Sequence, residues 1–314
     1  MPTITEYFGI GLTNNGPLTT TYTPPASCTT VTTDQILFAH PDSITVGYGS
    51  PTCETASMGK CLPSGSNYDK AVSSYNDYGG QGTIDYYSPG IACPKGWTTA
   101  GTLAHGNETG SVEKSGVFTR TTSTMPGVSV TDPNMPLEQV WLNALGPSET
   151  LAYCCPSGWV AAKAGGCFSS IKPLKSAPYT EVCMKYLPPS AIRSVYTVEG
   201  SKVSEYLYSV VTAEPTSTIW PMSVLQTQSS FQYDELAVVR RFPAVKLVYK
   251  ESDLKPTGTG DESNDGEGGD DDEKNDGKKE DDDNGASNLL ISGRLFSIIA
   301  VLFSMLIGAG LVMF

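Results

Sequence analysis

Eight cysteines constrain the fold of this 314-residue chain more than any other feature of its sequence. They all lie between positions 28 and 183, none forms a C-x-x-C pair, and the chain has only 2 histidines. These features disfavour a zinc site, and we predict neither a metal nor a cofactor. An even number of cysteines favours disulfides formed in an oxidising compartment over free thiols in a reducing one. The candidates for disulfide bonding are Cys28, Cys53, Cys61, Cys93, Cys154, Cys155, Cys167 and Cys183.

The pairing of these cysteines stays open, because eight of them allow about a hundred different sets of bridges. Disulfide geometry does restrict one pair, since two adjacent cysteines would close a strained ring if they bonded to each other. We therefore expect Cys154 and Cys155 to bond to two different, distant cysteines. Each bridge would stabilise the domain by about 2–4 kcal/mol, which suits a turn-rich domain with a thin core.

The composition favours short strands and many turns over long helices. The chain holds 32 glycines, 22 prolines and 16 tyrosines, and serine and threonine are frequent before residue 250. These residue types are typical of turns and short strands. We therefore predict a mainly β, turn-rich ectodomain stabilised by disulfides, with one short helix at residues 137–145. The predicted strands are residues 35–38, 43–48, 117–122, 194–198, 206–211, 236–240 and 245–249.

Two pairs of these strands are separated by a turn signal. Gly200 lies between residues 194–198 and 206–211, and this spacing predicts a β-hairpin. Pro243 lies between residues 236–240 and 245–249, and a proline at this place predicts a bend or an edge position.

The formal net charge of −13 is concentrated near the C-terminus. Residues 251–285 contain 15 acidic residues and 4 lysines, whereas residues 1–250 contain 18 acidic and 15 basic residues. A segment with so much charge and so few apolar residues cannot form a packed core. We therefore predict that residues 251–288 form a disordered acidic linker. Because lysines and arginines are not clustered anywhere in the chain, we expect no binding to nucleic acid.

The C-terminal segment carries the strongest membrane signal. Residues 295–314 form an uncharged run of 20 residues, and 12 of them are Leu, Ile, Val or Phe. A helix of about 20 apolar residues matches the thickness of a bilayer core. We therefore predict that residues 289–314 are a hydrophobic helix that attaches the protein to a membrane.

Three kinds of membrane attachment remain open. A type I span needs lysine or arginine after it, and none follows here. A tail anchor would place Arg294 in the cytosol, but it would leave eight cysteines in a reducing compartment. A glycosylphosphatidylinositol (GPI) anchor needs small residues, a short spacer and a hydrophobic tail. Residues 284–314 provide all three, so we prefer a GPI anchor, with Asn284 as the attachment residue and Gly285 as the second choice.

The N-terminal segment does not fit this location. Residues 1–27 are rich in threonine and proline and have neither a basic start nor an apolar run, so they are not a signal peptide. We predict that they form an extended lead before the cysteine-containing domain of residues 28–250. An anchored, secreted protein needs a signal peptide, so we expect that this sequence lacks the first exon. The tail anchor is the alternative explanation.

A short motif occurs twice, as CPKGW from Cys93 and as CPSGW from Cys155, with a weaker echo, CLPSG, from Cys61. The motif predicts a turn that begins at proline and has glycine at the position of positive φ. Such a turn would present Trp97 and Trp159 for packing near a disulfide. The alternative interpretation is that these tryptophans bind carbohydrate.

The order of these motifs resembles a group of uncharacterised surface or secreted proteins of filamentous fungi. The segment YSPG from Tyr87 leads into CPKGW, and Glu149-Thr150 precedes CCPSGW. The resemblance covers about residues 18–254. It implies a signal peptide, which this sequence lacks, and it implies no activity.

Catalytic chemistry finds little support in the sequence, and we predict no catalytic residues. Nucleophilic catalysis needs a histidine beside serine or cysteine, but His40 precedes a proline and His105 lies in a glycine-containing loop. A G-x-S-x-G motif is not present in the sequence, and nothing in it positions a pair of carboxylates. Asn107 begins the one N-glycosylation sequon, which predicts a glycoprotein with an exposed loop at this position.

We expect a cell-surface structural or interaction protein that is attached to the plasma membrane through its C-terminus. Cell-wall glycan or another surface protein is the expected partner. The alternative is a surface-anchored enzyme that acts on cell-wall polysaccharide, and a third interpretation is an intracellular, tail-anchored protein.

Overall fold

The computed structural model describes residues 2–78, 81–105, 111–120, 135–186, 190, 192–198, 200–210, 216–227 and 232–254. Within these residues the chain is mainly β, as the composition predicts. The strands are β1 Glu6–Tyr7, β2 Ile10–Asn14, β3 Ile36–Ala39, β4 Thr83–Tyr86, β5 Trp97–Ala104, β6 Glu113–Lys114, β7 Glu149–Pro156, β8 Val160–Ala161, β9 Gly166–Pro173, β10 Glu181–Tyr186, β11 Ile192–Val198, β12 Ser201–Val210, β13 Thr216–Pro221, β14 Ala237–Pro243 and β15 Val245–Lys250. The α-helices are α1 Ser66–Tyr78, α2 Leu137–Ala144 and α3 Ser223–Thr227.

Two four-stranded antiparallel sheets form the body of the domain. Sheet I has the strand order β3-β14-β9-β8, and sheet II has the order β15-β7-β5-β6. A third sheet, β1-β2-β4, contains the parallel pair of β2 and β4. The pairs β10–β13 and β11–β12 form two further antiparallel ribbons.

The chain passes from sheet I to sheet II at Ala244. Pro243 ends β14 in sheet I, and Val245 begins β15 opposite Cys154 of sheet II. Ala244 donates its N–H to the carbonyl of Gly165 at 2.9 Å. The bend that Pro243 predicts is therefore present, and it lets one apolar stretch of the chain serve both sheets.

All eight cysteines form disulfides, which confirms the predicted bonding. The bridges are Cys28–Cys61, Cys53–Cys183, Cys93–Cys154 and Cys155–Cys167. The two adjacent cysteines bond to different partners, as expected. Successive side chains on a strand point to opposite faces, so Cys154 and Cys155 of β7 reach different neighbours. The bridge from Cys155 joins β7 of sheet II to β9 of sheet I.

The largest core cluster is formed by α2, sheet II and the third sheet. Trp141 of α2 is fully buried, and its indole N–H donates to the Tyr153 hydroxyl at 3.0 Å. Tyr86 packs edge-on against this indole at a centroid distance of 5.7 Å. Burial raises the pKa of Tyr153, so its hydroxyl stays protonated and donates to the Lys163 carbonyl at 3.3 Å. The helix predicted at residues 137–145 is thus confirmed as α2. Its aromatic residue, Trp141, is fully buried in the largest core cluster.

Residues 1–27 do not form a separate extended lead, which corrects the prediction. Part of this segment forms β1 and β2 of the third sheet. Ile10 and Leu12 lie two residues apart on β2, share one face and are both buried in the largest core cluster. Alternation over so short a stretch is a weak strand signal, and the pairing of β2 with β4 is what orders it. The domain therefore includes residues that precede Cys28.

The strand predicted at residues 117–122 is wrong for its described part, because Gly116–Thr119 forms a 3-10 helix. Gly116 adopts a φ of +54°, and a Cβ at this position would lie 2.1 Å from the Ala100 carbonyl oxygen. Only glycine permits this approach, so the chain turns where the apolar residues alone favour a strand. Residues 43–48, also predicted as a strand, instead contain the last residue of a 3-10 helix, a turn at Ile44 and Thr45, and bends at Val46 and Tyr48.

Helix α1 is not predicted by the sequence pattern, because serine, asparagine and aspartate are neutral or unfavourable inside helices. Tertiary hydrogen bonds hold it in place. Asp69 accepts the N–H groups of Met58 at 2.7 Å and Gly59 at 2.8 Å, and also the Ser57 hydroxyl at 2.9 Å. The helix therefore depends on contacts to a loop that precedes it rather than on its own propensity.

The hairpin predicted around Gly200 is confirmed, since β11 and β12 pair and Gly200 has a φ of +78°. The start of the predicted linker at residues 251–288 is part of the domain, because Glu251–Leu254 forms a 3-10 helix. Asp253 of this helix accepts the N–H of Lys250 at 2.8 Å.

Several predictions fall outside the described residues. These are the linker after residue 254, the membrane-anchor segment at residues 289–314, the glycosylation site at Asn107 and the GPI attachment residue Asn284. Within the part of the chain that the structure describes, no helix has the length and apolar character needed to cross a membrane.

Arg240 on β14 connects the segment around Cys28 to sheet I through hydrogen bonds. Its guanidinium donates to the Gln35 side chain at 2.9 Å. It also donates to three consecutive carbonyls, those of Cys28, Thr29 and Thr30, at 2.9–3.1 Å. Charge-assisted hydrogen bonds of this kind are stronger than neutral ones. A single buried side chain therefore fixes a loop that lies over two hundred residues earlier in the sequence.

We predict that Arg240→Gln lowers the free energy of unfolding by about 2–4 kcal/mol, because it removes these bonds and leaves carbonyls without a donor. Arg241→Gln is the matched control. It removes the same charge from the next residue and should change stability by less than about 0.5 kcal/mol. Urea unfolding of both variants, followed by circular dichroism, measures the difference. Equal losses in the two variants would show that Arg240 does not fasten the loop.

Candidate functional site

A cavity of about 870 Å³ lies among α1, the third sheet, sheet I and the ribbon β10–β13. Its volume falls within the range of about 300–1,000 Å³ that is typical of small-molecule sites. Apolar side chains predominate in its lining, and a few charged side chains accompany them. This combination is the usual composition of a ligand pocket, in which a few polar groups fix the orientation of the ligand.

Helix α1 contributes one wall of the cavity. Tyr68, Ala71 and Val72 line it, and their spacing of three and four residues places them on one helix face. Burial raises the pKa of Tyr68, while the charge of Arg241 opposes the increase. The Tyr68 hydroxyl is therefore protonated at neutral pH and can donate a hydrogen bond. Ile84 of β4 continues this wall into the third sheet.

A disulfide joins two of the segments that surround the cavity. The bridge between Cys53 and Cys183 joins the segment before α1 to strand β10, although the two cysteines are 130 residues apart in sequence. Lys185 donates to the Thr55 hydroxyl at 3.2 Å and so connects the same two segments a second time. Trp220 of β13 lies on the rim with 39% of its surface exposed. A disulfide therefore holds these two segments together, and a partly exposed tryptophan ring lies beside them in the lining.

An ion pair lies in the cavity wall. Lys246 and Asp85 approach to 3.4 Å, and their side chains are only 8% and 12% exposed. Asp85 also accepts the side-chain amide of Asn15 at 3.0 Å, and Lys246 donates to the Ala244 carbonyl at 3.3 Å. Both charges are therefore compensated within the protein, as a buried pair requires.

Two other cations line the cavity, Arg241 and Lys185. Within the part of the chain that the structure describes, the guanidinium of Arg241 takes part in neither a hydrogen bond nor an ion pair. Burial lowers the pKa of Lys185, and the charge of Arg241 lowers it further. Arg241 and Lys185 therefore bring two positive charges to the lining of the cavity.

Unpartnered polar atoms also occur in the lining. Asp34 Oδ1 and Gln81 Nε2 are buried and have no hydrogen-bond partner among the described residues. A buried polar atom without a partner costs about 1–3 kcal/mol. A polar group of a bound molecule would remove this cost.

Both CPxGW turns have glycine at the position of positive φ, as the packing interpretation of the motif predicts, and the two turns lie side by side. Gly96 and Gly158 have φ values of +80° and +81°, and the N–H of Ser157 donates to the Gly96 carbonyl at 3.0 Å. Trp97 and Trp159 both pack edge-on against the ring of Phe242, at 5.8 and 6.4 Å. Their turns are held by the disulfides from Cys93 and Cys155.

The two histidines do not form a common site. His40 follows β3 of sheet I, where its ring packs edge-on against Tyr48 at 5.2 Å and its Nδ1 lies 4.0 Å from Glu235. His105 follows β5 of sheet II, and its N–H donates to the Glu149 carbonyl at 3.1 Å. Among the described residues, no cluster of three or more His, Cys, Asp or Glu side chains could hold a metal ion.

Sequence reasoning missed the cavity altogether. The face formed by Tyr68, Ala71 and Val72 is the one local signal for it, and the polar residues of α1 hide this signal. The other walls come from strands that are distant in sequence, and no local pattern predicts which of them meet.

Comparison with protein-family models, curated proteins and solved structures finds no match to this chain.

We predict that Trp159→Ala lowers the free energy of unfolding by about 2–4 kcal/mol, because it removes an aromatic ring that packs on Phe242. Trp159→Phe keeps an aromatic ring and should restore most of the loss. Chemical denaturation measures both variants. Retention on insoluble glucan and chitin provides the second readout, and both folded variants should match the unaltered protein. Loss of glycan retention in folded Trp159→Phe would instead support the carbohydrate-binding interpretation.

Proposed function

We propose that this chain is a cell-surface binding protein whose disulfide-bonded domain holds a small, largely apolar molecule in its cavity. The observation that carries this proposal is the cavity itself, with its size and its apolar lining. Ligand sites in proteins are concave, mostly apolar and largely preformed. The enzyme alternative is less favoured, and Asp85, one of the carboxylates in the lining, is engaged by Lys246 and Asn15.

The preformed state of the cavity favours binding. Its rim is fixed by the disulfide between Cys53 and Cys183. Helix α1 is fixed by the hydrogen bonds that Asp69 accepts from the loop before it. A site that is already ordered loses little conformational entropy when a ligand enters, so more of the contact energy appears as affinity.

An extracellular location fits the four disulfides, since such bonds persist in oxidising compartments. We extend the proposal to the cell surface because of the apolar run at residues 295–314 and the acidic segment before it. In this arrangement residues 289–314 direct GPI attachment at Asn284, and the acidic linker separates the domain from the bilayer. The resemblance to surface or secreted fungal proteins that we infer from the sequence motifs would imply the same location.

We predict that Ala71→Trp, which fills the cavity from α1, lowers the affinity for tritiated hexadecanol at least about tenfold. Lys70→Trp is the matched control, because it places the same side chain on the exposed residue next to it. The full chain is kept in amphipol, and binding is measured by scintillation proximity. The Lys70→Trp variant should bind as the unaltered protein does.

Two outcomes would contradict the proposal. One is the failure of the unaltered chain to bind hexadecanol above the level of empty amphipol. The other is equal binding by the Ala71→Trp and Lys70→Trp variants, since this would place the bound alcohol outside the cavity.

A further inference from the structure

We infer that the cavity selects amphipathic anions, with the apolar part of the ligand inside and a single carboxylate or phosphate group against Arg241 at the rim. This inference rests on the proposed function and names the chemical class of the ligand. It follows from the placement of charge around the cavity rather than from its volume.

Two neighbouring arginines on β14, Arg240 and Arg241, differ in their surroundings. Successive residues of a strand point to opposite faces, and Arg240 and Arg241 have opposite environments. Arg240 is buried, and four acceptors satisfy its guanidinium. Arg241 lines the cavity, and its guanidinium has no such acceptors within the described residues. Arg241 therefore contributes a cation that has no hydrogen-bond or ion-pair partner in the described part of the fold.

The second step is the position of the other cation. Lys185 also lines the cavity, and the charge of Arg241 acts on it strongly enough to lower its pKa in addition to the effect of burial. An anion bound beside these two side chains would interact favourably with both positive charges. The two lining cations thus suit a negative group.

The third step concerns the carboxylates of the lining, Asp85, Asp34 and Glu54. Asp85 is compensated by Lys246. Asp34 and Glu54 form no ion pair with Arg241 among the described residues. Each of these two carboxylates would repel an anion placed beside it. Because Lys185 donates to Thr55, the residue after Glu54, the negative group of a ligand is directed to Arg241.

The fourth step is the geometry of the donors. The planar guanidinium of Arg241 can bind two oxygens of a carboxylate or phosphate at once, and lysine adds a point charge. Tyr68, whose hydroxyl is protonated, is close enough to Arg241 for the two groups to interact electrostatically. The apolar remainder of the ligand would contact residues such as Phe168 and Val72 in the lining.

The test compares tritiated palmitate, hexadecyl phosphate and hexadecanol, which share one apolar chain and differ in their head groups. The full chain is used in amphipol, as above. We expect at least one of the two anions to bind about tenfold or more tightly than the alcohol, and the preferred anion identifies the head group. Arg241→Gln should lower the affinity for that anion about tenfold, and it should lower the affinity for uncharged hexadecanol far less.

Two further variants test whether the effect on anion affinity is specific to the guanidinium of Arg241. Lys175→Gln removes a cation from an exposed position outside the lining and should change neither affinity. Arg241→Lys keeps the charge but loses the planar fork, so it should recover part of the anion affinity. Equal affinity for all three ligands in the unaltered chain, with Ala71→Trp blocking each of them, would overturn the anion inference and keep the proposed function. Failure of every ligand to bind would overturn both.

Discussion

The disulfide between Cys155 and Cys167 joins the two four-stranded sheets at the level where the chain itself crosses between them. Phe242 of β14 lies opposite Cys167, and Val245 of β15 lies opposite Cys154. One covalent bond and one continuous stretch of backbone therefore fix the same junction. Because side chains alternate along β7, the adjacent Cys154 is directed away from this junction and bonds to Cys93 instead.

The junction contributes two of the charged residues of the cavity. Arg241 lies just before the crossing and Lys246 just after it, and both line the cavity. Because side chains alternate along β14, its two arginines lie in different environments. Arg240 fastens the segment around Cys28, whereas Arg241 faces the cavity. A change in the register of β14 by one residue would exchange the two environments, so the register decides both stability and binding.

The sequence predicts the local features of this fold better than its assembly. The even cysteine count, the separate partners of Cys154 and Cys155, the turns at Gly96 and Gly158 and the hairpin at Gly200 all follow from local chemistry. The pairing of the cysteines, the entry of β2 into the core and the meeting of the cavity walls depend on contacts between distant segments, which no local pattern specifies. Helix α1 is missed because Asp69 stabilises it from outside. The predictions for Asn107, Asn284 and the membrane segment stay predictions.

Mapping the disulfides of the full chain after expression in a secretory pathway is the most direct test of this account. Digestion without reduction, followed by fragmentation that separates Cys154 from Cys155, identifies each bridge by mass spectrometry. We expect the cross-links Cys28–Cys61, Cys53–Cys183, Cys93–Cys154 and Cys155–Cys167, with no free thiol. A bond between Cys154 and Cys155, or exchange of their partners Cys93 and Cys167, would contradict the junction on which the arrangement of the sheets and the cavity depends.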